Sequence, residues 1–134
     1  MVKFRINFIA AVSALLLFST CKKTIKPEVL YGKWNYIKVE NLSSNPPDSV
    51  KRYELDADEA HIVFSKNDSL HIWWARRVLS KGTFKIEGDN IKFKEILPDG
   101  KTREFPFFVS EMTDKKIIFA TGGEDGSTVT AVKQ

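Results

Sequence analysis

TFKIEGDNIKFKE, residues 83–95, alternates apolar and polar side chains on both sides of a Gly-Asp-Asn break. Phe84 and Ile86 share one face and Lys85 and Glu87 the other; after Gly88-Asp89-Asn90, Ile91 and Phe93 resume the apolar phase and Lys92 and Lys94 the polar one. A period of two with a turn signal in the middle predicts an antiparallel hairpin with one dry and one wet face. Working outward, similar runs occur at Lys33–Asn41, Ala60–Ser65, Ser69–Leu79, Arg103–Ser110, Lys115–Thr121 and Ser127–Lys133, joined by KND, LPDG, EMTD and GGEDG. With the hairpin this makes about eight strands, and short antiparallel connections predict an all-β, eight-stranded up-and-down barrel whose closure removes exposed edges. Pro106 cannot donate to a ladder and predicts a bulge or an edge position.

One connection is long, Asn41 to Ala60, and loops of that size are usually functional lids or disordered. Within it, Asp48 or Ser49 is placed to cap a short helix over SVKRYELDA, with Val50, Tyr53 and Leu55 turned inward. The sequence has no internal repeat and no low-complexity segment.

The first twenty residues are organised differently: a short basic segment with Lys3 and Arg5, an apolar run from Phe8 to Phe18, then Ser19 and Thr20. This order is that of a secretory signal. The eleven-residue apolar run is too short to span a bilayer, which takes roughly 20 residues. Cleavage before Cys21 would leave enough chain for one domain. It would also remove two uncompensated basic residues from a balance of 21 basic against 17 acidic, leaving a nearly neutral protein with no electrostatic case for nucleic acid.

Cys21 is the sole cysteine, so an internal disulfide is excluded. The stretch Leu17-Phe18-Ser19-Thr20-Cys21 resembles the signal of bacterial lipoproteins. That resemblance implies cleavage before Cys21 and acylation of its thiol and new amino terminus, and so a membrane partner reached through the N-terminal lipid and a location in the bacterial cell envelope. Several acyl chains, at about 0.8 kcal/mol per buried methylene, would hold the domain on a bilayer almost permanently. The organisation that follows is a signal over residues 1–20, a solvated tether over 21–29 and a barrel domain over 30–134. Lys22 and Lys23 would lie in that tether, near anionic lipid headgroups or, more commonly for such a pair, simply solvated.

The first strand of the barrel opens with Gly32-Lys33-Trp34. It is followed by a Phe64-to-Leu70 hairpin, then Gly82-Thr83-Phe84-Lys85-Ile86, then Thr113-Asp114-Lys115-Lys116. This ordered set resembles the lipocalins, and more closely the small lipocalin-like lipoproteins of bacteria. The resemblance implies that Gly32 and Trp34 close one end of the barrel, that Thr113 and Asp114 form the turn before the seventh barrel strand, and that Lys133, where arginine is typical, packs across the tryptophan. It implies structural rather than catalytic roles for these residues. Its departures are Leu70, which falls one place late, and Thr113-Asp114, which lacks the usual following aromatic residue.

For chemistry the residues offer little. His61 and His71 are the only histidines, both out of phase with the apolar positions and without a third ligand, so no metal and no cofactor is expected. No nucleophile motif, phosphate loop or paired carboxylates appear, and no enzyme activity is expected. In SLHIWWARRVLS, Arg76 falls in the phase of Leu70, Ile72, Trp74 and Val78. In that register it points into the barrel and needs a buried acid or an anionic ligand; a bulge after Trp74 would return it to solvent instead. Trp73 shares the outer face with His71, a position suited to an interaction patch or to stacking on sugars.

The candidate interior is Phe64, Ile72, Trp74, Arg76, Phe84, Ile86, Ile91 and Phe93, with Phe105 and Phe119 in the same phase on later strands. Bulky residues at almost every inward position predict a narrow or nearly filled cavity. Two functions remain: a barrel holding a small apolar or amphiphilic ligand under the Asn41–Ala60 lid, or a filled barrel acting as a protein-interaction or assembly module with an envelope protein as partner.

Overall fold

Alternation becomes a closed barrel. The computed structural model describes residues 25–42, 44–122 and 126–134. In order, its elements are α1 (Pro27–Leu30), β1 (Gly32–Asn41), β2 (Asp48–Val50), α2 (Arg52–Ala57), β3 (His61–Phe64), β4 (Ser69–Trp74), β5 (Arg77–Glu87), β6 (Asn90–Ile96), β7 (Thr102–Met112), β8 (Lys116–Thr121) and β9 (Thr128–Lys133). Every pairing is antiparallel, and a β1–β9 ladder from Trp34↔Lys133 to Glu40↔Thr128 closes β1 and β3–β9 into an eight-stranded barrel. The ninth strand, β2, pairs only with the end of β1, Val39 to Asn41.

The hairpin at 83–95 forms in the predicted phase: Phe84 faces Phe93 and Ile86 faces Ile91 across the ladder, with Gly88 in the turn at φ +58°. Phe84, Ile91 and Phe93 are buried while Lys85 and Lys94 are exposed. One residue type per face is what a barrel wall between core and solvent selects.

The barrel has a closed and an open end. At the closed end, Gly32 lies opposite Phe64, and Leu30, Trp34, Phe64, Ile91 and Ile117 are all within about 1% of full burial. α1 caps this end, where Trp34 Nε1 donates to Leu30 O at 2.7 Å. Ile25 is 3% exposed and belongs to the same core. The tether expected over 21–29 is therefore shorter: from Ile25 on, the chain is part of the barrel, because an isoleucine and a leucine flanking the Pro27 turn are worth more against the core than in water. Cys21, Lys22, Lys23 and the signal expected over residues 1–20 lie outside the described residues.

Two further expectations are corrected and a third is met in one of its two forms. SLHIWWARRVLS is two strands rather than one: Ala75 and Arg76, at φ +52° and +63°, form the two-residue turn between β4 and β5. Paired positive φ is the geometry that matches strand twist in short hairpins. In the long connection, α2 begins after Lys51 with no side-chain cap; Leu55 is buried and Val50 half-buried, but Tyr53 is 66% exposed. Finally, Pro106 stands opposite Lys92 with no bulge at its position, the β7 bulge falling between Val109 and Glu111. Its edge character is local, since the β7–β8 ladder starts at Phe107↔Thr121 and leaves Thr102–Pro106 without a neighbour on that side.

The connection from 41 to 60 also does not roof the barrel. β1 pairs with β3 through Asn35 and with β2 from Val39, and between them Tyr36 N donates to Ala60 O at 2.9 Å. α2 packs against β1 at this seam, and Leu55 and Ala60 are buried in the core.

Candidate functional site at the open end

Strand ladders that end early make the opening. β5 pairs with β6 only from Gly82↔Glu95, so Arg77–Lys81 runs without a β6 partner. β7 is likewise unpaired by β8 before Phe107. The β6–β7 hairpin thus projects past both neighbours. Gly82 permits the close crossing where the β5–β6 ladder begins: a Cβ there would lie 1.9 Å from Lys94 O.

At this end is a pocket of about 680 Å³, open to solvent. Its wall is Ile72, Leu79, Phe93, Phe105 and Phe107, with Thr121 and Gly122 at the rim and Ser80, Glu95, Arg103 and Glu104 as the polar and charged groups. A cleft of about 800 Å³ lies in the slot between Val78–Lys81 and the β6–β7 turn, and it shares Leu79, Ser80, Glu95 and Arg103 with the pocket. No residue from 41 to 60 is among the described lining of either.

The polar centre is absent from the sequence-derived interior residues. Glu95 follows Ile91 and Phe93 on the inward face of β6 and is 8% exposed. Its carboxylate accepts from Ser80 Oγ on β5 and, at 2.6 Å, from Arg103 Nε on β7. Arg103 stands directly across from Glu95, and its guanidinium lies 5.5 Å from the Phe105 ring centroid. Stacking on a ring and pairing with a carboxylate are the two contacts a guanidinium makes best. The signal was present as Glu95 in the apolar phase of TFKIEGDNIKFKE.

Aromatic rings line the barrel between its ends. Phe93 meets Phe105 at 5.4 Å and Phe107 at 5.5 Å, and Phe107 meets Phe119 at 4.9 Å. Tyr36 touches both Phe119 and Trp74 at 6.4 Å, and burial pushes its hydroxyl pKa well above the ordinary tyrosine value. The closed half is filled by Trp34, Ile91, Ile117 and the Phe64–Phe84 pair at 5.1 Å, while Phe93, Phe105 and Phe107 line the pocket of the open half; the expectation of a narrow or filled interior describes the first half and not the second.

Of the sequence-derived interior residues, Phe64, Phe84, Ile91 and Phe93 are buried, and Ile72, Trp74 and Ile86 are half-buried against the core. Ile72 and Phe93 line the pocket. Arg76 does not point inward: its side chain is 76% exposed and stands 3.9 Å from Glu59. The arginine at the pocket is Arg103, which pairs with Glu95 from the rim with its side chain 63% exposed.

His61 stacks on Trp73 at 5.6 Å on the outer face, with His71 one strand over, opposite Val63. Among the described residues no group of three His, Cys, Asp or Glu is placed to hold a metal ion. Nor is any helix there long and apolar enough to cross a membrane.

At the closed end, Gly32 has φ +129° and a Cβ there would meet Lys133 Cε at 3.1 Å. Lys133 Nζ lies 5.3 Å from the Trp34 ring centroid and donates to Val29 O at 2.7 Å. Thr113 Oγ1 accepts from the backbone N–H of Lys115 and Lys116 at 3.2 and 2.9 Å, holding the β7–β8 turn in which Asp114 is exposed.

No family model matches the sequence, and no curated protein matches it. Solved structures do. A lipocalin-like protein from Bacteroides uniformis superposes with a TM-score of 0.53 at 15% identity, over 79% of this chain and 99% of that one. An uncharacterized protein from Bacteroides eggerthii gives 0.52 at 17% identity, over 78% and 99%. At such identities the likeness concerns architecture, and it agrees with the closed β1–β9 seam and the order of the strands: the chain has a lipocalin-like eight-stranded barrel fold.

Proposed function

We propose that this protein is a binding protein rather than an enzyme, anchored in the bacterial cell envelope through lipid on Cys21 and holding a small apolar or amphiphilic molecule in the open end of its barrel. The observation that carries the reading is the pocket of about 680 Å³, with an aromatic wall and one polar cluster at its mouth. Its size is within the roughly 300–1,000 Å³ of small-molecule sites, and a mostly apolar lining with a few fixed polar groups is the usual chemistry of such sites. The lipocalin-like fold supports it by architecture. The anchor is supported by the order basic segment, apolar run, Cys21.

A second reading has its own observation. Val78, Leu79 and Ile96 are 39%, 67% and 43% exposed beside the unpaired edge of β5, which suits docking of an extended segment of an envelope protein.

Mass spectrometry of protein extracted from its membranes tests both halves of the first reading. Under denaturing conditions, a chain beginning at Cys21 and carrying acyl mass that Cys21→Ala removes is the expected result; residues 1–20 retained, or an unmodified thiol, would refute the anchor. Under native conditions, a bound species of small-molecule mass released by denaturation is expected. A barrel that stays empty in extracts and in the presence of added amphiphiles would refute ligand binding and leave the docking reading.

A further inference from the structure

Three strands bring one polar side chain each to the same level of the pocket mouth: Ser80 from β5, Glu95 from β6 and Arg103 from β7. Resting on the binding reading above, we infer that the pocket selects amphiphiles with an uncharged, hydrogen-bonding head over those with an anionic or cationic head, and that Glu95 sets this selection.

The charge arrangement carries the inference. Glu95 is the deeper partner at 8% exposure, and Arg103 covers it from the rim, its side chain 63% exposed. The pair is closed by a 2.6 Å contact, so the mouth is electrically balanced. An anionic head entering here is drawn to Arg103 and repelled by Glu95 at similar range. The two effects largely cancel, while the head still loses hydration. A cationic head meets the same cancellation with the signs exchanged. A hydroxyl or ester head gives up less hydration, and it finds an acceptor in the Glu95 carboxylate and donors in the guanidinium.

Glu104, the other acid on the pocket lining, is held by Lys92 at 3.3 Å and does not disturb the balance. The apolar wall of Ile72, Phe93, Phe105 and Phe107 takes the tail. An empty anion site would instead present an arginine without a carboxylate partner. Here the partner is built in and further fixed by the Ser80 hydroxyl.

The test compares three twelve-carbon probes on the full chain by calorimetry at pH 8, below their micellar concentrations: monolauroylglycerol, laurate and dodecylammonium. Monolauroylglycerol should bind about ten-fold tighter than either charged probe. Glu95→Gln, which keeps the shape and removes the charge, should raise laurate affinity about ten-fold and leave monolauroylglycerol within about two-fold. Laurate binding as tightly as monolauroylglycerol to the wild-type protein, or a preference unchanged in a folded Glu95→Gln, would overturn the inference while leaving ligand binding standing. Should Glu95→Gln fail to fold, the three-probe comparison on the wild-type protein decides. Absence of binding by all three probes would overturn the binding reading itself, and the inference with it.

Discussion

Tyr36 shows how far one side chain can be read from its surroundings. Its ring is wedged between Trp74 and Phe119 and is 5% exposed, and desolvation raises its pKa. Below the unfolded value of about 10 the hydroxyl is neutral in both states, and pH is without effect through this group. As pH rises past that value only the unfolded chain ionises, so the fold loses about 1.4 kcal/mol for each further pH unit until the folded pKa is reached. Urea unfolding between pH 9 and about 12 should therefore show a steeper loss for the wild-type protein than for Tyr36→Phe; parallel curves would place the hydroxyl in contact with water.

The two arginines near the aromatic cluster make the opposite point. Arg76 shares the phase of Trp74 in the sequence, but phase has meaning only while a strand continues, and the turn at Ala75-Arg76 ends it. Arg103 stands at the pocket mouth because its cross-strand neighbour is Glu95, a pairing set by the turn between β6 and β7 and not by either residue's own surroundings.

At the scale of elements, runs with a Gly, Asn or Asp break were legible and runs without one were not. The 83–95 hairpin turns at Gly88-Asp89, where glycine takes the positive φ at no steric cost. The β4–β5 hairpin makes a two-residue turn with positive φ at both Ala75 and Arg76, residues that carry no such signal and adopt positive φ because ladders on both sides hold them there. That constraint costs stability. Replacing the pair by Ala75→Asn with Arg76→Gly should stabilise the protein by about 1 kcal/mol, read as a higher urea midpoint at unchanged slope. The ion pair lost with Arg76 is exposed on both sides and contributes little. A lower midpoint would mean that the turn geometry is different. The same logic explains the long connection: its pattern predicts a helix with an inward face, and Leu55 obeys it. Which part of the barrel that face would cover depends on β2 and on the gap in the β1–β3 ladder, both set by distant pairings.

For the molecule as a whole, closure was legible because eight alternating runs with short connections leave few other ways to remove edges. The closed end followed from Trp34 and the residues around it. The open end did not, because it arises from register: β5–β6 pairing that stops at Gly82↔Glu95 and β7–β8 pairing that starts at Phe107. Register is a sum over many cross-strand contacts and has no local signature at Ser80 or Arg103; Glu95 alone carried one, as an acid in the apolar phase of its strand. The central claim is that this end receives the ligand, and amide chemical-shift mapping with monolauroylglycerol tests it most directly. Shifts are predicted to concentrate at Ile72, Ser80, Glu95, Arg103, Phe105 and Phe107, with Trp34, Ile91 and Ile117 at the closed end unmoved. Shifts confined to the outer face around His61 and Trp73, or none at the open end at saturating probe, would contradict the account.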